Sequence, residues 1–108
     1  MTDLVQESIA RIVADNPVVL FMKGAPSSPR CGFSAAAAAV MAQFDVPLFS
    51  IDVLENESIR QGVKAFSEWP TFPQLYIKGE FIGGADIMRE MFQSGELKET
   101  LIRYGLVF

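Results

Sequence analysis

The chain has 108 residues, half of them hydrophobic, which suffices for one hydrophobic core and is too short for two comfortable domains. The formal net charge of −4, with few and scattered Lys and Arg residues, argues against nucleic acid as a partner. No apolar run approaches the roughly 18 residues that suggest a membrane span, so we expect no membrane partner. We therefore expect residues 1–108 to form a single domain.

The chain contains one cysteine and no histidine. A single cysteine excludes an internal disulfide, and the lack of a disulfide framework fits a reducing compartment. Without histidine, the chain has no Cys/His dyad and no self-contained zinc site. Whatever chemistry it carries is thiol chemistry, and any redox partner comes from outside the chain.

The first half of the chain reads as alternating helices and strands. Residues 3–15 carry apolar side chains at helical spacing, and Asn16 and Pro17 end that helix. The run Val18–Met22 is apolar at every position, which is typical of a strand buried on both faces. The next predicted elements are a loop over 24–30, an alanine-rich helix over 33–43, a strand over 46–53 and a helix over 57–67.

The second half predicts a hairpin and two helices. Strands over 74–77 and 80–82 meet at Lys78 and Gly79, and helices over 86–94 and 96–104 are separated by Ser94 and Gly95. The predicted core contacts of these helices are Ile87, Met88, Met91, Leu97, Leu101 and Ile102. A βαβ unit followed by a helix, a hairpin and terminal helices predicts an α/β, thioredoxin-like fold, with a mixed four-stranded sheet flanked by helices.

Cys31 lies where the loop over 24–30 meets the following helix. A helix N-terminus presents free N–H groups and positive potential, which favour the thiolate and lower the pKa of a cysteine there. Arg30 and Lys23 are expected to add positive potential. The alternative is an inert buried thiol, which the setting after a βα junction disfavours.

Cys31 opens the motif Cys-Gly-Phe-Ser, in which Ser34 stands where a C-x-x-C motif has its second cysteine. Such a site waits for an external thiol to resolve a mixed disulfide. With Lys23 and Gly24, the segment 69–74 (Trp-Pro-Thr-Phe-Pro-Gln) and the segment 83–86 (Gly-Gly-Ala-Asp), the chain resembles the CGFS-type monothiol glutaredoxins over nearly its whole length.

The resemblance implies a glutathione groove beside Cys31. In the family, two cations bind the glycyl carboxylate, the backbone before a cis-proline pairs with the peptide, and a glycine-rich helix start receives the γ-glutamyl end. The matching residues are Lys23, Arg60, Phe72, Pro73, Gly84, Ala85 and Asp86. Taken singly, Lys23 and Arg60 are read by default as solvated cations, Pro73 as an ordinary tight turn and Asp86 as a helix cap. Many family members have a cysteine in place of Ala85, so the second disulfide those members form is absent here.

The resemblance also implies a labile [2Fe-2S] cluster. Such a cluster needs four thiolates, which two protomers would supply as Cys31 and one glutathione thiol each, in a cluster-bridged homodimer. This makes Cys31 the metal ligand, and the chain a carrier that passes clusters to apo iron–sulfur proteins. The alternative is a glutathione-dependent disulfide oxidoreductase or deglutathionylase with Cys31 as catalytic nucleophile. In the family, the insertion over 25–30 accompanies cluster binding and weak reductase activity.

The sequence leaves open the partner in the dimer and the cellular compartment. A heterodimer with a BolA-type partner is as compatible with the sequence as the homodimer. The initiator Met1 favours a bacterial cytoplasmic protein, but a mature organellar form would have the same sequence features.

Overall fold

The computed structural model describes residues 3–107, so that Met1, Thr2 and Phe108 of the expected domain lie outside it. Within this range the chain forms five helices and six strands. In chain order they are α1 (Leu4–Asp15), β1 (Val18–Met22), β2 (Gly24–Ala25), β3 (Ser28–Pro29), α2 (Gly32–Met41), β4 (Leu48–Asp52), α3 (Glu57–Ser67), β5 (Gln74–Ile77), β6 (Glu80–Gly83), α4 (Ala85–Ser94) and α5 (Glu96–Arg103). Among the residues described, no helix has the length and hydropathy needed to cross a membrane.

The main sheet has four strands in the order β4-β1-β5-β6. β1 pairs with β4 in parallel and with β5 antiparallel, and β5 continues into β6 as a hairpin. The hairpin turns at Lys78 and Gly79, both of which have positive φ, as a two-residue turn with the right twist requires. The predicted mixed four-stranded, thioredoxin-like sheet is confirmed.

The sheet separates two hydrophobic cores. Val18, Leu20 and Met22 of β1 face the core formed with α2, α4 and α5, whereas Val19 and Phe21 face the core formed with α1 and α3. This alternation follows from the period of two along a strand, and burial on both faces explains why β1 is apolar throughout. Because helices cover both faces of the sheet, we expect a binding site at the ends of the strands.

Several element bounds differ from the sequence prediction by one or two residues; α2, for example, ends at Met41 instead of residue 43. β4 begins at Leu48 instead of residue 46, since Pro47 has no N–H to donate to a neighbouring strand. The loop predicted over 24–30 contains a small antiparallel hairpin, in which Gly24 pairs with Pro29 and Ala25 with Ser28.

The predicted core contacts of the last two helices are correct only in part. Met88, Leu97 and Leu101 are fully buried, and Met91 packs against the same core. Ile87 and Ile102, however, are 41% and 46% exposed. Each lies next in sequence to a buried residue, about 100° around the helix from it, so that both face away from the core.

Candidate functional site

Cys31 is the N-cap residue of α2, with an extended backbone. The nearby backbone N–H of Ser34 is the main reason that the pKa of the Cys31 thiol is lowered. The backbone N–H of Phe33, the charge of Lys23 and the Ser34 hydroxyl act in the same direction, while partial burial opposes them. Cys31 is therefore predisposed to the thiolate form, which is both the nucleophile and the metal ligand.

Ser34, the residue at the position of a second cysteine, is fully buried. Its Oγ accepts a hydrogen bond of 3.0 Å from the backbone N–H of Lys23, and its hydroxyl also lowers the pKa of Cys31. One side chain thus links the end of β1 to the start of α2. Ser34 therefore supports the structure of the site, in addition to leaving the motif without a second thiol.

We expect Ser34→Ala to raise the pKa of Cys31, because the hydroxyl that favours the thiolate is lost. The midpoint of the pH profile of Cys31 alkylation by iodoacetamide moves up, and the rate at neutral pH falls. The unfolding free energy drops by about 1–2 kcal/mol, since the Lys23 N–H loses its partner. Ser50→Ala, at an exposed position of β4, is the matched control; an unchanged midpoint in Ser34→Ala would contradict the assignment.

The hairpin before Cys31 is fixed by its backbone. Gly24 has a φ of +87°, and its N–H donates to Asp52 Oδ1 at 2.9 Å. The same carboxylate oxygen accepts from the N–H of Leu54 at 2.9 Å, and the N–H of Arg30 donates to the carbonyl of Lys23 at 2.9 Å. These contacts hold β2 and β3 against the end of β4, and so determine where the chain delivers Cys31.

A groove of about 420 Å³ opens beside Cys31, at the size usual for a small-molecule site. Its lining contains Cys31 and all the residues that the resemblance assigns to the glutathione groove, namely Lys23, Arg60, Phe72, Pro73, Gly84, Ala85 and Asp86. They come from the end of β1, the start of α2, α3, the segment before β5 and the start of α4. Only the tertiary fold brings these segments together.

The groove is positively charged although the chain is acidic. Lys23, Arg60 and Lys64 line it, against Asp86 as the one acidic residue among its described lining. Arg60 pairs with Glu57 at 3.3 Å, yet its buried Nε has no partner within residues 3–107. A guanidinium with a free buried donor fits an anionic ligand.

The opposite wall combines a proline turn and a helix start. The peptide bond between Phe72 and Pro73 is cis, as the resemblance implies. Gly84 is the N-cap of α4 and provides no side-chain cap, so the first N–H groups of that helix are available to an anion. A Cβ at Gly84 would lie 3.3 Å from the carbonyl oxygen of Pro73, which shows how closely the two segments pack. The Asp86 carboxylate accepts a hydrogen bond of 2.7 Å from the Arg89 guanidinium.

Sequence reasoning missed several residues of the groove. Lys64, Thr71 and Ile87 also line it, as does Trp69, which is 44% exposed. Lys64 follows Arg60 by four residues on α3, and this helical spacing was a usable signal. Phe33 is 61% exposed at the groove and does not belong to the core. Arg30, expected to act on Cys31 beside Lys23, does not line the groove.

A thioredoxin-like fold that carries one activated thiol at a helix start, beside a cis-proline and a cationic groove, defines a thiol-dependent protein of the glutaredoxin class. The family model for glutaredoxin matches residues 18–82, which is more than half of the chain. The chain belongs to the glutaredoxin family, and its curated relatives place it with the monothiol glutaredoxins.

Two relatives and one solved structure illustrate the likeness. The chain is 50% identical over 100 residues to a mitochondrial monothiol glutaredoxin of Arabidopsis thaliana, covering 93% of this chain and 59% of that protein. It is 48% identical over 103 residues to Glutaredoxin 4 of Haemophilus ducreyi, covering 92% and 96% respectively. A solution structure of a monomeric truncated mutant of Trypanosoma brucei 1-C-Grx1 superposes with a TM-score of 0.87 at 40% identity, covering 98% of this chain and 96% of that one.

The relatives differ in length and compartment. The chain spans about half the length of several curated relatives that it matches, and nearly all of the bacterial one. Bacterial, mitochondrial and chloroplast proteins are all among them, so the relatives do not decide between the compartments left open by the sequence.

Proposed function

We propose that the chain acts as a single glutaredoxin domain that binds glutathione beside Cys31 and, as a homodimer, carries a labile [2Fe-2S] cluster. The observation that carries this proposal is the single activated thiol in the lining of a cationic groove. The cluster is cargo that the protein passes on. The recipients of the cluster are apo iron–sulfur proteins, and the protein acts in the bacterial cytoplasm.

Glutathione has two carboxylates, one ammonium group and one thiol, and the groove offers a matching set of groups. Lys23 and Arg60 are suited to the glycyl carboxylate, and the open N–H groups at the start of α4 to the γ-glutamyl carboxylate. Asp86 can exchange its contact with Arg89 for the ammonium group. The backbone of Phe72, next to Pro73, is proposed to pair with the peptide unit.

One thiolate per chain does not complete a cluster site. No group of three or more His, Cys, Asp or Glu residues within residues 3–107 is arranged to hold a metal ion. With Cys31 and a bound glutathione, each protomer provides two of the four thiolates that a [2Fe-2S] cluster needs. The exposed apolar side chains of Phe33, Trp69 and Ile87 line the groove and would face the second protomer. Because two ligands are exchangeable small molecules, the cluster is expected to be released readily.

The second candidate function is deglutathionylation. The lowered pKa of Cys31 favours it, since a thiolate attacks a mixed disulfide directly. In that reaction Cys31 takes over glutathione from the substrate, and a second glutathione regenerates the thiol as glutathione disulfide leaves. The loop over 25–30, an insertion that accompanies cluster binding in the family, favours the carrier.

Both functions are tested on one preparation. After anaerobic loading with iron, sulfide and glutathione, the protein is mixed with an apo-ferredoxin, and transfer is followed by circular dichroism in the visible range. The same protein without iron is assayed on a glutathionylated peptide. Rapid transfer with slow turnover supports the carrier, whereas rapid turnover without transfer would assign the chain to the reductases.

We expect Arg60→Gln to weaken glutathione binding about tenfold, because a charge-assisted contact with the ligand carboxylate is lost. Titration calorimetry measures the change. Glu57→Gln should instead strengthen glutathione binding, because the 3.3 Å ion pair with Glu57 then no longer competes for the guanidinium of Arg60. Lys98→Gln, an exposed cation on α5 away from the groove, is the control. Equal affinity in Arg60→Gln and Lys98→Gln would refute this assignment.

A further inference from the structure

Gln74, the first residue of β5, is a buried polar residue behind the groove. Its exposed fraction is 0%, and it does not line the groove itself. Burying a primary amide costs several kcal/mol unless its hydrogen bonds are made, so its partners indicate what it does.

The amide of Gln74 is fully used. Its Nε2 donates to the carbonyl oxygens of Trp69 and Thr71, both at 3.1 Å, and its Oε1 accepts from the Tyr76 hydroxyl at 3.1 Å. Tyr76 is itself buried, with its ring against Phe21 at a centroid distance of 5.7 Å. Burial raises the pKa of Tyr76, so the hydroxyl stays a donor at neutral pH.

These bonds hold a segment that has little backbone support of its own. Outside the helices and strands, the described backbone–backbone hydrogen bonds include only one from residues 69–73, from the N–H of Trp69 to the carbonyl of Lys64 at 3.2 Å. The whole segment lines the groove, and the carbonyl of Pro73 lies against Gly84. The two bonds from Gln74 Nε2 therefore tie the proline wall of the groove to the core of the sheet.

We propose that Gln74 is a positioning residue for glutathione: through the carbonyls of Trp69 and Thr71 it fixes the segment 69–73, and so the backbone of Phe72, at the spacing that the tripeptide requires. This inference rests on the proposed function, since it concerns how the same groove is shaped. Gln74 would affect binding although its side chain does not line the groove.

The test compares Gln74→Met with Tyr76→Phe. Gln74→Met keeps the length of the side chain but removes both bonds to the segment, whereas Tyr76→Phe removes a buried hydrogen bond of the same network and leaves both bonds from Nε2 in place. Reduced glutathione is titrated against each protein by amide chemical shifts, and urea unfolding measures stability in parallel. We expect about tenfold weaker binding in Gln74→Met and less than a twofold change in Tyr76→Phe.

A purely structural role would lower the stability of both variants and leave both affinities near that of the wild type, which would overturn the inference. If Gln74→Met does not fold, Gln74→Asn answers the same question, because its amide is too short to reach both carbonyls; we expect it to weaken binding severalfold. A wild-type chain that binds no glutathione overturns this inference and the proposed function together. A wild type that binds, with Gln74 variants that bind equally well, overturns this inference alone.

Discussion

Cys31→Ser is expected to abolish cluster loading and thiol exchange while leaving the fold intact. The variant removes the only thiol of the chain, so no protein ligand for iron and no nucleophile is left. Stability should be unchanged or up to about 1 kcal/mol higher, because serine is a better N-cap than cysteine and Cys31 makes no side-chain cap hydrogen bond to α2. Visible absorption after anaerobic loading and urea unfolding measure the two effects.

The control for this variant restores the thiol at another place. Cys31→Ser combined with Ser94→Cys has the same thiol content, but its sulfur lies at the exposed end of α4, outside the lining of the groove. It should load no cluster. If this double variant takes up the chromophore as the wild type does, loading depends on thiol content alone and the groove has no part in it.

Gly24→Ala is expected to destabilise the chain by about 3 kcal/mol or more, from two causes. With a φ of +87°, an L side chain at this position is strained. A Cβ there would also meet the carbonyl oxygen of Ser28 at 2.6 Å and the backbone nitrogen of Arg30 at 2.7 Å, and neither atom can move without opening the hairpin. Since this hairpin delivers Cys31, the pH profile of its alkylation should change as well. Urea unfolding and iodoacetamide kinetics are the measurements.

Two other glycines separate the causes of that effect. Gly95 has the same φ of +87° with open space where a methyl group would lie, so Gly95→Ala shows the cost of strain alone, about 1–2 kcal/mol. Gly32, at the start of α2, also has open space and an ordinary φ, so Gly32→Ala should be neutral or stabilising by up to about 1 kcal/mol. If Gly24→Ala lowers the free energy of unfolding by no more than Gly95→Ala does, the close contacts at the hairpin add nothing to the strain, and this explanation is wrong.

The order of the elements could be predicted because local signals agree with the fold. Five consecutive apolar residues in Val18–Met22 mark a central strand, and the pair Lys78 and Gly79 marks the turn of the second hairpin. The short hairpin after β1 could not be foreseen. Its anchor is Asp52, a residue 28 positions away from Gly24, and such a contact leaves no local pattern.

Cys31 could be singled out by pattern, as the only cysteine and at the start of a predicted helix, whereas the other candidate residues of the groove came from the resemblance. Arg60 by itself has the features of an exposed helical cation, and its unpartnered buried Nε appears only once the groove is assembled from separate segments. Gln74 stands out in the sequence only as the end of a motif, because a polar residue at a strand start indicates nothing about what it holds. Periodicity also misplaced Ile87 and Ile102, since a one-residue error in the helical phase moves a side chain from core to surface.

Native mass spectrometry of the anaerobically loaded protein tests the central claim most directly. We expect one species that contains two chains, one [2Fe-2S] cluster and two glutathione molecules, and that dissociates to colourless monomers when glutathione is removed. A cluster-bound species without glutathione, or a protein that stays a colourless monomer in excess iron, sulfide and glutathione, would contradict it.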